Sequence, residues 1–304
     1  MSSLPSIVIP SYNGLHRLKI SLPSLLRQSL SPLEYILVID GSDDGSIEWI
    51  RGQGLPRNFN IAVTSNGGRS AARNLGASLA RSDLLIFVDD DICVPFHFVE
   101  RHCELQSLYP NSLISGDVQQ DLNTDLNVDI CAFRRSCEQR WSSSMPRLEV
   151  FCGFHFTTQN LSINQAVFAL LGGFDQRLTD SEDFLLGVYA VRNSIPIYFD
   201  PSLVSYHCDY GDLEYLIRRN AEYISSKHRL AELCPDVKDK YSYVLSVPSC
   251  HGLLRNLVRR LFVYNYLWRK ITHSRVFYFL PKSLRFKVYD YILSSSVGRR
   301  LQLI

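Results

Sequence analysis

Four short apolar runs, each followed by a polar cluster, constrain the first part of this chain more than any other feature. The runs are Ile7-Val8-Ile9, Tyr35 to Ile39, Phe59 to Val63 and Leu84 to Val88. Bulky, partly β-branched runs of this length read as buried strands. Helical spacing fills the gaps. Leu15, Leu18, Leu22, Leu25 and Leu26 mark one helix, Ile47, Trp49 and Ile50 a second starting near Asp44, and Ala72, Leu75, Leu79 and Ala80 a third over 69–81. Strands alternating with helices predict right-handed βαβ units and a mostly parallel sheet. The polar clusters then share one edge of the sheet, where open α/β sheets bind ligands. They are Pro10-Ser11-Tyr12-Asn13-Gly14, Asp40 to Ser46, Asn66 to Gly76, and Asp89-Asp90-Asp91. Any one of them could be an ordinary turn. Four on one edge point to a ligand.

The aspartate triplet sharpens the chemistry. Adjacent carboxylates repel, and the arrangement is costly without a compensating cation or ordered donors. A hard cation such as Mg²⁺ or Mn²⁺ suits oxygen ligands and commonly brings a phosphate with it. No GxGxxG follows the first strand and no GxxxxGK[ST] occurs, which argues against a dinucleotide-binding dehydrogenase and a P-loop nucleotidase.

Further along, residues 96–108 and 126–141 read as helical, and 112–118 and 154–163 as extended. Gly172-Gly173-Phe174-Asp175 is a turn, and a helix runs from about Ser181 to Arg192 with Asp180 or Ser181 as its N-cap. Ile197 to Phe199 and Leu203 to Tyr206 bracket Asp200-Pro201 as an extended-turn-extended unit. Beyond His207 the pattern is helical throughout.

The matching stretches IVIPSYNG, VIDGSDDGS, NGGRSAARNLGA, LLIFVDDDI, LLGGFD and SEDFLLGVYAVR follow one another over residues 6 to about 207. In order and spacing the set resembles the inverting, GT-A-fold glycosyltransferases of family 2. The resemblance implies an α/β, GT-A-like catalytic domain over 1–210, a nucleotide-sugar donor, expected to be UDP-linked, and a divalent metal, Mn²⁺ or Mg²⁺. It places Tyr12 and Asp40 at the nucleobase with Arg73 near it, and Pro10, Asn66 and Asp90 on the donor side. Asp89 would face the ribose or metal, Asp91 the metal and diphosphate, and His207 would be a third metal ligand. Asp183 would be the general base, with Glu182 and Asp180 supporting it or facing the acceptor.

The reaction needs these groups. Inverting transfer is a direct displacement at the anomeric carbon, so a carboxylate must take the acceptor proton and a cation must offset the leaving diphosphate. Asn164-Gln165 stand where relatives often carry basic residues, and the Trp of a WGxED form is missing. Gln139-Arg140-Trp141 precedes the Glu-Asp pair, so the processive signature is absent from its usual place and transfer of one sugar is expected. The expected acceptor is a glycan or a lipid-linked sugar, in polysaccharide biosynthesis. The rivals are a non-catalytic nucleotide-sugar-binding protein on the same fold and a nucleotidyltransferase. The latter would want a Gly-rich basic loop that IVIPSYNG does not supply.

Charge separates the two ends of the chain. The net charge is +2, yet residues 251–304 hold eleven Lys and Arg and one acid, Asp290. GLLRNLVRRLFVYNYLWRKI over 252–271 and RVFYFLPKSLRFKVYDYIL after it are basic, amphipathic and rich in Tyr, Trp and Phe. That is the signature of an interfacial helix. The expectation is a helical region over 211–304 that meets an anionic membrane surface through 252–300, or else caps the catalytic domain. Nucleic acid is excluded as a partner because the acidic body offers no second basic patch. The eight cysteines form no CxxC pair and read as mostly reduced. With no signal peptide visible and no apolar run of ~18 residues, the expectation is a cytoplasmic protein, peripheral at the inner face of the membrane if the basic region binds it and not if that region only caps the domain.

Overall fold

The computed structural model describes residues 4–31, 33–121, 129–143, 157–208, 211–240 and 265–301. The chain divides into two compact units, one of Met1–Thr124 with Cys137–Asp209, the other of Asp125–Ser136 with Tyr210–Ile304.

In the first unit the expected alternation is present. β1 (Ser6–Ser11), α1 (Leu15–Leu26), β2 (Glu34–Asp40), α2 (Ser46–Arg51), β3 (Phe59–Thr64), α3 (Arg69–Leu79) and β4 (Leu84–Phe87) follow in order. β1 pairs in parallel with β2 and β4, and β2 with β3. Next come β5 (Ile92–Cys93), α4 (Phe98–Leu108), β6 (Leu113–Gln120) and α5 (Asp129–Ser143). A 3₁₀ turn, Thr158–Asn160, leads into β7 (Leu161–Asn164), α6 (Gln165–Leu170), α7 (Glu182–Arg192) and β8 (Ile197–His207).

The sheet order is β3-β2-β1-β4-β7-β6-β8-β5. β7 runs antiparallel to both β4 and β6, and β5 antiparallel to β8, so the sheet is mixed on this side. The extended-turn-extended unit around Asp200-Pro201 is a single strand. Its pairing with β6 passes from Gly116 opposite Asp200 to Asp117 opposite Val204, and Pro201 sits in the bulge between them, where no ladder donor is needed.

Strand parity builds two cores. Ile7, Ile9, Leu37 and Ile86 pack with Leu18, Leu22, Leu25 and Phe98 on one side. Val8, Val38 and Phe87 pack with Ala72, Phe168, Phe174 and Leu186 on the other. α3 approaches the sheet closely because of Gly76, where a Cβ would lie 2.4 Å from Val8 Cγ1. A polar knot crosses the first core: buried His102 pairs through Nδ1 with Ser162 Oγ at 2.9 Å and through Nε2 with Asn160 Oδ1 at 3.0 Å. Burial lowers its pKa to about 3, so the imidazole is neutral at physiological pH.

One expectation is corrected. Cys93 and Cys208 are joined by a disulfide, because β5 lies beside the end of β8 and brings their Cα atoms to 6.6 Å. Cys103 and Cys234 form no disulfide among the described residues.

The second unit is helical. It holds the first two turns of α5, then α8 (Leu213–Leu233), α9 (Pro235–Lys240), α10 (Asn265–Thr272), α11 (Arg275–Phe279) and α12 (Lys282–Leu301). Asp212 caps α8, its carboxylate accepting from the Tyr215 N–H at 2.8 Å. Trp268 and Ile292 form a small core with Leu213, Ile217 and Val288. Of the basic stretch 252–271, residues 265–271 lie in α10 and 252–264 lie outside the described residues. Among the described residues, no helix is long and apolar enough to cross a membrane.

Candidate active site

The loops after β1, β2, β3 and β4 meet at one edge of the sheet, as the parallel topology requires. The Asn13 N–H donates to Ser42 Oγ at 2.9 Å, and the Asp43 N–H donates to Asn13 Oδ1 at 3.1 Å. Asp40, at the end of β2, accepts from the N–H groups of Gly67 and Gly68, both at 2.8 Å, just before α3. Asp44 accepts from the N–H groups of Leu15 and Ser46, so it ties α1 to the start of α2. Three of the loops are thus stitched together by Asn13, Ser42 and Asp40.

The three aspartates after β4 face three directions. Asp89 accepts from Arg73 Nη2 at 2.6 Å. Asp90 accepts from Ser11 Oγ at 2.6 Å and from Arg17 at 2.9 and 3.0 Å, which commits it to β1 and α1. Asp91 Oδ2 lies 3.3 Å from His207 Nε2, and the Cys208 N–H donates to the Asp91 carbonyl at 2.7 Å. Their protonation differs accordingly. Burial would raise Asp89, but the Arg73 guanidinium outweighs it and holds the carboxyl below its ordinary value. Burial raises Asp90 to about 6 despite Arg17.

Arg73 joins this triplet to α7. Its side chain is buried, with one terminal nitrogen on Asp89 and the other on Glu182 Oε1. Expected near the nucleobase, it bridges two acidic segments. Asn74, its neighbour, exchanges hydrogen bonds with the backbone of Phe174, donating to the carbonyl at 2.8 Å and accepting from the N–H at 2.9 Å. The glycine-rich turn before α7 is therefore clamped to α3. Ser181, the residue before Glu182, has φ 63°, a left-handed backbone that is unfavourable for a residue with a Cβ. That turn sets the direction in which Glu182 and Asp183 leave the loop.

Asp183 is partly buried at the first turn of α7. Desolvation, then the charges of Glu182 and Asp180, push its carboxyl up to about 7, while the Phe184 N–H and Arg73 pull the other way. A carboxylate with that proton affinity is matched to accepting a proton near neutral pH.

The residues fit a divalent cation at Asp91 and His207. Asp91 Oδ1 is buried with no hydrogen-bond partner among the described residues, and its other oxygen already faces an imidazole nitrogen. Oxygen and imidazole donors both suit Mn²⁺, and a donor diphosphate and water would complete its shell. Among the described residues no group of three His, Cys, Asp or Glu side chains is arranged as a metal cage. Asp89 is turned toward Arg73, which leaves Asp91 and His207 as the pair facing each other.

Other expected donor-side residues are spread around this edge. Pro10 lies buried in β1 opposite Val38, and Tyr12 is 49% exposed beyond the strand end. Asn66 is exposed, its backbone pressed against Gly41, where a Cβ would meet the Asn66 nitrogen at 2.6 Å. An open cavity of about 390 Å³ lies beside Asp40, lined also by Thr64, Gly67, Asn74 and Gln176. Arg69 is the residue that sequence reasoning passed over. At the first position of α3, it lies 3.8 Å from Asp180 and its charge reaches Asp89. Its signal was its place directly after Gly67-Gly68 at a helix start. It offers the cation that Asn164-Gln165 do not, since Asn164 caps α6 and Gln165 donates to the carbonyls of Ala77 and Ala80.

Residues 6–144 match the family model described as glycosyl transferase family 2. The uncharacterized glycosyltransferase EpsJ of Bacillus subtilis is 34% identical over 151 residues, 49% of this chain and 39% of that protein. The minor teichoic acid biosynthesis protein GgaA of Bacillus subtilis is 40% identical over 93 residues, 28% of this chain and 21% of that protein. The chain thus spans well under two thirds of these curated relatives. Among solved structures, the mannosyltransferase PcManGT of Pyrobaculum calidifontis, in complex with GDP-Man and Mn²⁺, superposes with a TM-score of 0.64 at 13% identity, covering 99% of this chain and 88% of that one. TarS 1–349 of S. aureus in complex with UDP gives 0.52 at 15% identity, covering 99% and 92%. These likenesses show the GT-A fold.

Proposed function

We propose that this chain, a family 2 glycosyltransferase domain through residues 6–144, transfers one sugar with inversion from a nucleotide-sugar to a hydroxyl of a glycan or lipid-linked acceptor. The observation that carries the reading is the Arg73 bridge. It draws the aspartates after β4 and the start of α7 to one edge, beside a carboxylate whose proton affinity is near neutral.

Asp183 takes the proton of the acceptor hydroxyl as that oxygen attacks the anomeric carbon. Asp180 and Glu182 raise its basicity, and Glu182 is held by Arg73 so that Asp183 keeps its heading. Asp40 and Tyr12, with Pro10 and Asn66, receive the nucleobase beside the cavity of about 390 Å³. Asp89, held by Arg73, would accept from a ribose hydroxyl, and Arg69, whose charge reaches Asp89, would meet the diphosphate. Asp91 and His207 would hold Mn²⁺ or Mg²⁺, which offsets the charge that grows on the leaving diphosphate. Support for the donor and metal comes from PcManGT, solved with GDP-Man and Mn²⁺, and from TarS, solved with UDP and with UDP-GlcNAc. GgaA suggests a cell-surface polymer as the setting.

The test is a panel of UDP- and GDP-sugars, assayed for donor hydrolysis and transfer with and without Mn²⁺. Turnover of one donor that disappears in Asp183→Asn supports the reading. Binding of a donor with no turnover under any condition replaces it with the non-catalytic alternative, and absence of both removes it.

A further inference from the structure

The second unit carries an apolar corner that has no role in the transfer reaction. α11 and α12 are joined by Leu280 and Pro281 alone, and the side chains at this corner point outward: Phe279 is 87% exposed, Val276 72% and Tyr278 57%, with Leu284 also exposed. Isolated exposed apolar residues are ordinary, but a run of them on one short corner is not.

The corner is held rigid. Ser274 caps α11, accepting from the Phe277 N–H at 3.2 Å. Phe277, at 1% exposure, points inward against Tyr289, their ring centres 5.5 Å apart. Arg285 Nη1 donates to the carbonyls of Tyr278 and Leu280 at 2.9 and 2.8 Å, and its Nη2 donates to Asp129 at 2.8 Å. One aromatic is the anchor, and its neighbours are displayed.

Cations flank the display. Arg275, Lys282 and Lys287 are exposed, and none of the three forms an ion pair with a described residue. Asp290 is the only acid in 251–304. Lys282 Nζ lies 5.4 Å from the Phe286 ring centre, a contact that leaves its charge uncompensated by any acid among the described residues. Aromatic and aliphatic tips between cations that lack an ion pair match the headgroup zone of an anionic bilayer, where rings and methyls enter the acyl boundary and ammonium groups stay with lipid phosphates.

We propose that the α11–α12 corner, centred on Val276 and Phe279, is a monotopic docking site for an anionic lipid surface. It places the membrane contact at a specific point of the basic region, and it stands independently of the sugar-transfer chemistry.

The full chain is tested by flotation with vesicles of phosphatidylcholine alone and of phosphatidylcholine with phosphatidylglycerol. Wild type floats with the phosphatidylglycerol vesicles, stays behind with phosphatidylcholine, and is released as salt screens the attraction. The double variant Val276→Glu/Phe279→Glu loses ~10-fold or more in vesicle affinity with unchanged circular dichroism and melting temperature, since both side chains are exposed. Lys282→Glu/Lys287→Glu weakens binding to the anionic vesicles. The proposal falls if wild type floats with neither vesicle at any salt, or if the double glutamate variant floats as well as wild type. It falls also if light scattering shows a wild-type dimer that the glutamate variant breaks while no vesicle binds, which would make a second copy the occupant.

Discussion

Asp183 illustrates how residue-scale electrostatics sets both activity and stability. Its carboxyl rises from an ordinary 3.8 to about 7, so the folded protein holds that proton more tightly than the unfolded chain. Stability is therefore highest below about pH 4 for this group and falls as pH rises toward 7. Catalysis runs the other way, because only the ionised base accepts a proton. The rate of transfer is expected to climb with pH through an apparent pKa near 7, measured as kcat/KM across buffers. Asp183→Asn should cost roughly a hundred- to ten-thousandfold in turnover. At pH 8 the same variant should melt a few degrees higher, by about 3 °C, because the repulsion with Glu182 and Asp180 is gone. Arg73→Met should do the reverse to stability. It strands the carboxylates of Asp89 and Glu182 in a buried site, and urea unfolding should show a loss of ~3–5 kcal/mol. The sequence made the acidic residues visible as motifs but not their partners. Arg73 and Glu182 are 109 positions apart, and no local pattern tells which of the nearby acids a buried guanidinium will choose.

At the scale of elements, the alternating first half was readable because each strand is apolar and each helix shows regular spacing. Gly76 is the point where that reading meets packing. A methyl group there would press on Val8, so Gly76→Ala should destabilise by ~1–3 kcal/mol, seen in chemical unfolding, with little change at the ligand edge. β7 was not readable as antiparallel. Leu161-Ser162-Ile163-Asn164 is four residues long, and its direction follows from pairing with β4 and β6 rather than from its own composition. The buried His102, which fixes β7 to α4, resembles any other helical histidine in sequence. β8 was split in the sequence reading because Pro201 suggests a stop, whereas a bulge lets the strand continue past it. β5, two residues long, is defined by its partner β8 alone.

For the whole molecule, the proposed metal site gives a simple dependence. If Asp91 and His207 hold a divalent ion, a UDP- or GDP-sugar should raise the melting temperature only when Mn²⁺ or Mg²⁺ is present, and EDTA should abolish both that shift and turnover. At a donor concentration a hundred times Kd the gain should be about 2.7 kcal/mol; stabilisation indifferent to EDTA would remove the metal. The stitched loops carry one more implication. Asn13, Ser42, Asp43, Asp40, Gly67 and Gly68 are tied together by the protein's own side chains and backbone. A donor would meet a surface assembled in advance, with little chain left to order. Titration calorimetry should then give a small negative heat-capacity change, in proportion to the ligand surface buried, rather than the large one that accompanies a segment folding around its guest.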